Sequence, residues 1–187
     1  MGMLAGTPPA LGSALRPVID NPISGERIVI RTSGEESNGA LLAFDLYLPS
    51  GGKVPSGHTH PGQTERFTVL EGRLRFRLGL RVVRASAGQA LTVPAGTPHW
   101  FRNDGPEEAH VLVEVRPALR MQQLFERSGD LGRRGNLLGT HLPRPGDLAV
   151  FLREFEREVA VPFLPRRLVH WLLAPIVWLA HGEPHRP

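Results

Sequence analysis

The stretch 52–72, GKVPSGHTHPGQTERFTVLEG, constrains the fold and chemistry of this chain more than any other. Within eight residues it holds three side chains that can ligate a metal, His58, His60 and Glu65. His58 and His60 are two positions apart, so on an extended strand both side chains leave the same face. The turn signal Pro61-Gly62 can bring the following strand, with Glu65, back alongside them.

A second stretch, 88–103 (GQALTVPAGTPHWFRN), adds His99 as a candidate fourth ligand. Imidazole and carboxylate ligands suit a divalent transition metal such as iron, manganese, nickel, copper or zinc. Four protein ligands leave an octahedral ion with one or two positions for water, substrate or oxygen. The two stretches therefore predict a site for one divalent transition metal, whose identity stays open.

The two stretches resemble the two sequence motifs of the cupin superfamily. Every fixed position of both motifs is filled, by Gly52, His58, His60, Glu65 and Gly72 in the first and by Gly88, Pro94, Gly96, His99 and Asn103 in the second. The resemblance implies a mainly β fold, the double-stranded β-helix or jelly-roll barrel. It also implies that His58, His60, Glu65 and His99 are the metal ligands.

The reaction is less constrained than the fold, because cupins include dioxygenases, isomerases, decarboxylases, lyases and non-enzymatic binders. Small bacterial cupins with this ligand set resemble quercetinase-like enzymes, and by that analogy Glu65 would be both a ligand and the catalytic base. We expect a metal-dependent enzyme acting on a small organic molecule, with a dioxygenase-type oxidation favoured. A non-redox isomerase or lyase and a non-catalytic small-molecule-binding cupin are the alternatives, so enzymatic activity itself stays open.

Alternating patterns predict a series of short strands. In RLRFRL, Leu74 and Phe76 face one way, whereas the arginines of the same strand, Arg73, Arg75 and Arg77, face the other. This arginine row could attract an anionic ligand or face solvent. Glu114, on the last strand, could reach into the barrel or point outward. The sequence does not decide either orientation.

Four aromatic residues on the predicted strands, Phe44, Phe67, Trp100 and Phe101, have two interpretations. They can line a pocket for an aromatic substrate, or they can simply pack the core, which is the commoner role of phenylalanine on a strand. The residues that would select a substrate are therefore not separable from core residues by sequence.

The chain divides into three predicted parts. Residues 1–20, rich in Gly, Ala and Pro, are expected to form a flexible leader. Residues 21–117 form the β-barrel, and residues 118–187 form a helical C-terminal extension that packs on the barrel or in a dimer interface. Within the extension, LAVFLREFEREV at 148–159 has the periodicity of an amphipathic helix, with Asp147 as its expected N-cap.

The most apolar stretch, LVHWLLAPIVWLA at 168–180, has 13 residues and contains Pro175. A helix of that length spans roughly 20 Å, too little for a bilayer core of about 30 Å. A helix on the membrane surface is one alternative, since the stretch contains tryptophans and follows two arginines. We favour a helix packed on the barrel or in a homodimer interface, because a patch this apolar needs burial.

Composition removes several function classes. The chain has no cysteine, which excludes disulfides, thiolate metal sites and cysteine nucleophiles. It has 22 Lys+Arg against 18 Asp+Glu, but the arginines are spread along the chain, so we expect no nucleic-acid partner. The first residues lack the pattern of a secretory signal, and we expect a cytoplasmic location. The predicted partner is a small-molecule substrate or ligand.

Overall fold

The computed structural model describes residues 16–54, 57–134, 137–138 and 142–182. Nine strands come first: β1 Val18–Asn21, β2 Glu26–Thr32, β3 Leu42–Leu48, β4 Thr64–Glu71, β5 Arg73–Leu78, β6 Arg81–Ser86, β7 Ala90–Val93, β8 His99–Asn103 and β9 Ala109–Arg116. The later elements are α1 Met121–Arg133, the strand pair β10 Leu137–Leu138 and β11 Leu142–Pro143, α2 Pro145–Glu154 and α3 Arg166–Gly182. A mainly β fold followed by helices is thus confirmed.

The nine strands form two antiparallel sheets. The larger has the order β1-β2-β3-β9-β4-β7 and the smaller the order β6-β5-β8. Strands that are distant in sequence, such as β3 and β9, pair over seven residues from Leu42↔Val115 to Leu48↔Ala109. The chain also passes between the two sheets, from β4 to β5 and from β8 to β9 for example, as it does in a jelly-roll barrel.

The first strand begins inside the segment expected to be a leader. Residues 1–15 of that segment lie outside the described part of the chain. Val18 pairs with Val29 and Asn21 with Glu26, so β1 forms the edge of the larger sheet. Antiparallel pairing with β2 satisfies backbone groups of this glycine- and proline-rich region, which residue composition alone did not reveal.

Strand alternation places the apolar residues inside and the charges outside. Leu74 and Phe76 on β5 have no exposed surface, whereas Arg73 and Arg77 are exposed. Arg73 donates to a carboxylate oxygen of Asp104 at 2.9 Å. The arginine row therefore faces outward, and the alternative in which it lines the interior is excluded.

Glu114 also points outward. Its neighbours on β9, Val113 and Val115, are buried on the inner face, and alternation directs Glu114 to the other side. There its carboxylate accepts a hydrogen bond from Arg116 at 3.0 Å. It is therefore excluded as an acid or base inside the barrel.

A buried ion cluster lies on the outer face of the larger sheet. Asp45 on β3 is only 7% exposed. It accepts two hydrogen bonds from Arg31, at 2.6 and 2.7 Å, and contacts Nε2 of His110 at 2.6 Å. Burial by itself raises the pKa of Asp45, but the hydrogen bonds from Arg31 and His110 and their charges outweigh it, so the pKa lies below its ordinary value.

We expect Asp45→Asn to lower the free energy of unfolding by about 1–3 kcal/mol at neutral pH, because it leaves Arg31 and His110 without their buried partner. The lowered pKa makes the carboxylate's contribution complete above about pH 4, and it is lost as pH falls through the folded-state value. The difference between variant and wild type should therefore shrink at pH 3. Urea denaturation at both pH values measures it.

Asp20→Asn is the matched control, because its ion pair with Arg27 is more than half exposed at both side chains. Such pairs contribute about 0–1 kcal/mol. Equal losses in the two variants would contradict the assigned role of Asp45.

The second helix differs from its prediction at both ends. It begins at Pro145, because proline has no N–H to satisfy and its φ suits the first helical turn. Asp147 lies inside that first turn and is not the N-cap, a position held by Arg144. The helix ends at Glu154, earlier than the predicted 159, because the following residues form a turn and then pair with the barrel.

The predicted helix at 168–180 is confirmed as part of α3, which packs against α2. Val177 is buried, but four large apolar side chains are exposed, Leu168, Trp171, Leu172 and Trp178. Among the described residues, no helix combines the length and the apolar character that a membrane crossing requires. Burial of this exposed face in a homodimer stays a prediction.

Candidate metal centre

The two histidines of the first motif lie on an extended segment that pairs with the start of β8. The His58 amide donates to the carbonyl of His99 at 3.0 Å, and the His99 amide donates back at 2.9 Å. Pairing directly across an antiparallel bridge puts the two side chains on the same face. The next inward position on the segment is His60, and Glu65 enters from β4.

The structure brings together all four residues that were predicted as ligands. One potential ligand atom from each of His58, His60, Glu65 and His99 lies within 4.8 Å of the others. His60, Glu65 and His99 are between 3% and 6% exposed, whereas His58 is half-buried. The group is therefore compact enough to hold a metal ion and is closed to solvent on most sides.

Hydrogen bonds to backbone carbonyls determine the tautomers of two of the histidines. Nδ1 of His60 lies 2.5 Å from the carbonyl oxygen of Glu158, and Nδ1 of His99 lies 3.0 Å from that of Thr97. A carbonyl oxygen only accepts hydrogen bonds, so each Nδ1 must carry the proton. In the neutral rings Nε2 is then a free lone pair, which is the form that ligates a metal.

The remaining polar atoms of the group face one another as acceptors. Oε2 of Glu65 lies 2.9 Å from Nε2 of His99 and 3.4 Å from Nε2 of His60. All three atoms are buried, and with both rings neutral in this tautomer none of them has a hydrogen-bond donor among the described residues. A carboxylate oxygen and two imidazole lone pairs in contact repel unless a cation, either a metal ion or a proton on one of the rings, lies among them. The donor set thus fits a transition-metal ion.

The charges of the group are consistent with this interpretation. With no metal bound, protonated imidazoles are the cations of the group: burial raises the pKa of Glu65, but the charge of His60, the hydrogen bond and charge of His99 and the charge of His58 outweigh it and lower the pKa to about 2. Burial lowers the pKa of His99, yet its hydrogen bond with Glu65 leads to a net rise. Glu65 is therefore ionised at neutral pH, as a ligand must be.

The C-terminal extension takes part in the centre, which the sequence analysis missed. The backbone of Ala160 pairs with Thr59, the residue between the two histidines, with N···O distances of 2.8 and 3.1 Å. The carbonyl that orients His60 belongs to Glu158, whose buried carboxylate accepts from the Arg120 amide at 3.2 Å. Nothing in the sequence signals this contact, because the partners are 98 residues apart.

A cavity of about 360 Å³ is lined mainly by apolar side chains and, at one end, by three of the candidate ligands, His58, His60 and Glu65. Three of the four predicted pocket aromatics, Phe44, Phe67 and Phe101, line it, whereas Trp100 does not. The opposite wall comes from the extension, with Met121, Leu124, Phe125, Leu131, Leu148, Phe151, Leu152, Val159 and Val161. The rings of Phe44 and Phe125 meet edge to face at 5.2 Å, linking the barrel to α1.

Comparison with known proteins agrees with the fold. Residues 44–115, which include all four candidate ligands, match the family described as the Cupin domain. The chain contains a domain of the cupin superfamily. Its two motifs account for the position of the candidate metal centre in this cupin, between the segment before β4 and the start of β8.

Two curated relatives share part of this cupin's sequence. A polyketide synthase, CurC, from Streptomyces cyaneus is 38% identical over 80 residues, 42% of this chain and 52% of that protein. An acireductone dioxygenase from Gluconacetobacter diazotrophicus is 33% identical over 105 residues, 52% of this chain and 54% of that protein. The cupin thus spans about half the length of these relatives.

Among solved structures, a protein from Thermotoga maritima described as a predicted oxalate decarboxylase resembles the cupin at a TM-score of 0.48. The two are 25% identical, over 55% of this chain and 91% of the other. A protein from Thermus thermophilus, TT1209, is 30% identical over 42% of this chain and 74% of its own, at a TM-score of 0.40.

Proposed function

We propose that this cupin binds one divalent transition metal through His58, His60, Glu65 and His99 and acts on a small, mainly apolar organic molecule, by an oxidation of the dioxygenase type. The observation that carries the proposal is the convergence of buried acceptor atoms at the wall of an apolar cavity. Acceptors that contact one another need a cation, and a cavity beside them gives a substrate access to it.

A bound metal would supply Lewis-acid or redox chemistry at this position. The chain's own residues would do the rest. The aromatic wall of Phe44, Phe67 and Phe101 would hold a planar apolar substrate and exclude water from it. The Glu65 carboxylate, ionised at neutral pH, would accept a hydrogen bond from a substrate hydroxyl as it enters. As the general base of the reaction it would then take that proton, for which its pKa has to rise from about 2 in the substrate complex.

The relatives support the proposal at the level of chemistry. The similarity to a protein named as a dioxygenase favours oxidation, although it covers about half of that protein. A non-redox conversion, such as an isomerase or lyase reaction in the same apolar cavity, is the second candidate, since a bound metal could also polarise a carbonyl group there. A cupin that binds a small molecule without turnover is the third.

Oxygen uptake separates these candidates. Full-length protein loaded with iron, manganese, nickel or copper would be given catechol-type and flavonol-type compounds, with zinc-loaded protein as the redox-inert control. We expect oxygen consumption with at least one metal, lost in Glu65→Gln. Product without oxygen uptake would replace oxidation by the non-redox reaction. Tight ligand binding with no product across the panel would leave a binding protein.

Assembly and location are finer points of the same proposal. The exposed apolar face of α3, which includes Trp171 and Trp178, favours a homodimer that buries it. The homodimer and the cytoplasmic location stay predictions.

A further inference from the structure

The cavity has a second polar region, made by Asn21, Glu26 and Ser128. These residues come from β1, β2 and α1, so the barrel and the extension both contribute. The side-chain amide of Asn21 donates to Glu26 at 3.0 Å and to the Ser128 hydroxyl at 3.2 Å. None of the three belongs to the metal motifs, and the proposed reaction leaves them unused.

Glu26 occupies an inward position of its strand. It alternates in step with Ile28 and Ile30, both of which are buried in the core. A third aliphatic residue would continue this row, yet the chain places a carboxylate there. Burial raises the pKa of Glu26 above its ordinary value, in spite of hydrogen bonds from Asn21 and Ser24 that lower it.

Strand register separates this region from the candidate metal centre. Glu65 lies opposite Val115, and Val115 lies opposite Leu42 at the start of β3. Arg27 lies opposite Tyr47, so the adjacent Glu26 is level with the end of β3. Measured along β3, the backbone level of Glu65 and that of Glu26 are almost a whole strand apart, roughly 20 Å at about 3.3 Å per residue.

The hydrogen bonds of Glu26 leave it with spare accepting capacity. An ionised carboxylate offers about four lone-pair positions, and Asn21 and Ser24 use two of them. Asn21 itself is fully engaged, since its oxygen accepts the Ile23 amide at 3.0 Å. A ligand that fills the cavity would therefore meet an acceptor at this end and apolar walls on the way to it.

We propose that Asn21, Glu26 and Ser128 form a second, polar subsite of the cavity, which binds a hydroxyl group at the far end of an elongated, mainly aromatic ligand. The proposal rests on the proposed function, which places the oxygen-bearing reactive end of the same ligand at the metal centre. The ligand class is then a planar molecule with chelating oxygens at one end and a hydroxyl donor at the other.

Two elongated probes that differ in a single hydroxyl test the subsite: 3-hydroxy-4′-phenylflavone and its derivative with a hydroxyl at the para position of the added phenyl ring. Binding to full-length, zinc-loaded protein would be followed by fluorescence titration, so that no turnover is needed. We expect the wild type to bind the hydroxylated probe about tenfold tighter than the parent probe, as suits a hydrogen bond to a carboxylate. Glu26→Leu should reduce this affinity ratio to about one and keep the affinity for the parent probe.

Ser128→Ala tests the subsite from the opposite wall of the cavity. It should lower the affinity ratio of the two probes about threefold. Glu108→Gln, at an exposed loop glutamate, is the control and should leave it unchanged. A purely structural role for Glu26 would lower the melting temperature of Glu26→Leu without changing the ratio. That result, or a wild type that binds neither probe, would overturn the subsite.

The same data separate the subsite from the proposed reaction. A tenfold affinity ratio between the two probes that depends on Glu26, together with no oxygen uptake or product in any assay, would support the subsite and reject the reaction. Oxygen uptake with a ratio of about one would support the reaction and reject the subsite.

Discussion

Glu65→Gln is expected to weaken transition-metal binding at least about 100-fold. Loss of a residue that merely orients a ligand typically costs 10–100-fold, and Glu65 would be a ligand and the only negative charge of its group. A metal at a hundred times its Kd should stabilise the wild type by about 2.7 kcal/mol, and this stabilisation should vanish in the variant. Calorimetric titration with Mn²⁺ and thermal melts with and without metal measure both effects.

Glu114→Gln is the matched control for this experiment. It makes the same substitution on β9, next to Val115, which pairs with Glu65, but its side chain points outward to Arg116. The control should bind metal as the wild type does. Unchanged affinity and stoichiometry in Glu65→Gln would show that the carboxylate is not a ligand.

Phe76→Ala is expected to lower the free energy of unfolding by about 3–5 kcal/mol. Phe76 has no exposed surface, and its ring lies 5.1 Å from that of Phe67 and 5.6 Å from that of Phe101. These contacts join β5 and β8 of the smaller sheet to β4 of the larger, so the substitution leaves a void where the two sheets meet. Urea denaturation measures the loss.

Leu80→Ala provides the comparison, because Leu80 follows the same strand in a turn and is 90% exposed. It should change the free energy of unfolding by no more than about 0.5 kcal/mol. A loss below about 1 kcal/mol in Phe76→Ala would mean that the aromatic cluster is not the junction between the sheets.

The grouping of the four candidate ligands could be predicted because its determinants are local. Two histidines at strand spacing and a turn before Glu65 place three of them together, and the second motif supplies His99. The mainly β fold was likewise visible in strands such as RLRFRL, where alternation separates buried from exposed residues. In both cases a period of two carries part of the information, whereas the inclusion of His99 depended on the resemblance of its stretch to the second cupin motif.

Contacts between distant segments could not be predicted. The carbonyl of Glu158 orients His60 through the backbone, which any residue type could supply, so the sequence contains no sign of it. The position of Glu26 illustrates a partial signal. The alternation of residues along β2 places Glu26 on the same face as Ile28 and Ile30. Only the packing of β1 and α1 over that end of β2 shows that Glu26 lines a cavity and does not lie at the rim of the sheet.

Two orientations that the sequence left open were decided by strand register. Glu114 and Arg73 lie on strands whose apolar neighbours are buried on the opposite face, so both point outward. The sequence shows which residues share a face, whereas the direction of the core depends on which strands pair.

X-ray absorption spectroscopy on full-length protein loaded with one equivalent of Mn²⁺ or Fe²⁺ tests the central claim most directly. We predict one ion per chain, with a shell that contains three imidazole nitrogens and a carboxylate oxygen, and with one imidazole fewer in His58→Ala. Failure to retain a stoichiometric ion, or a shell without imidazole nitrogen, would contradict it.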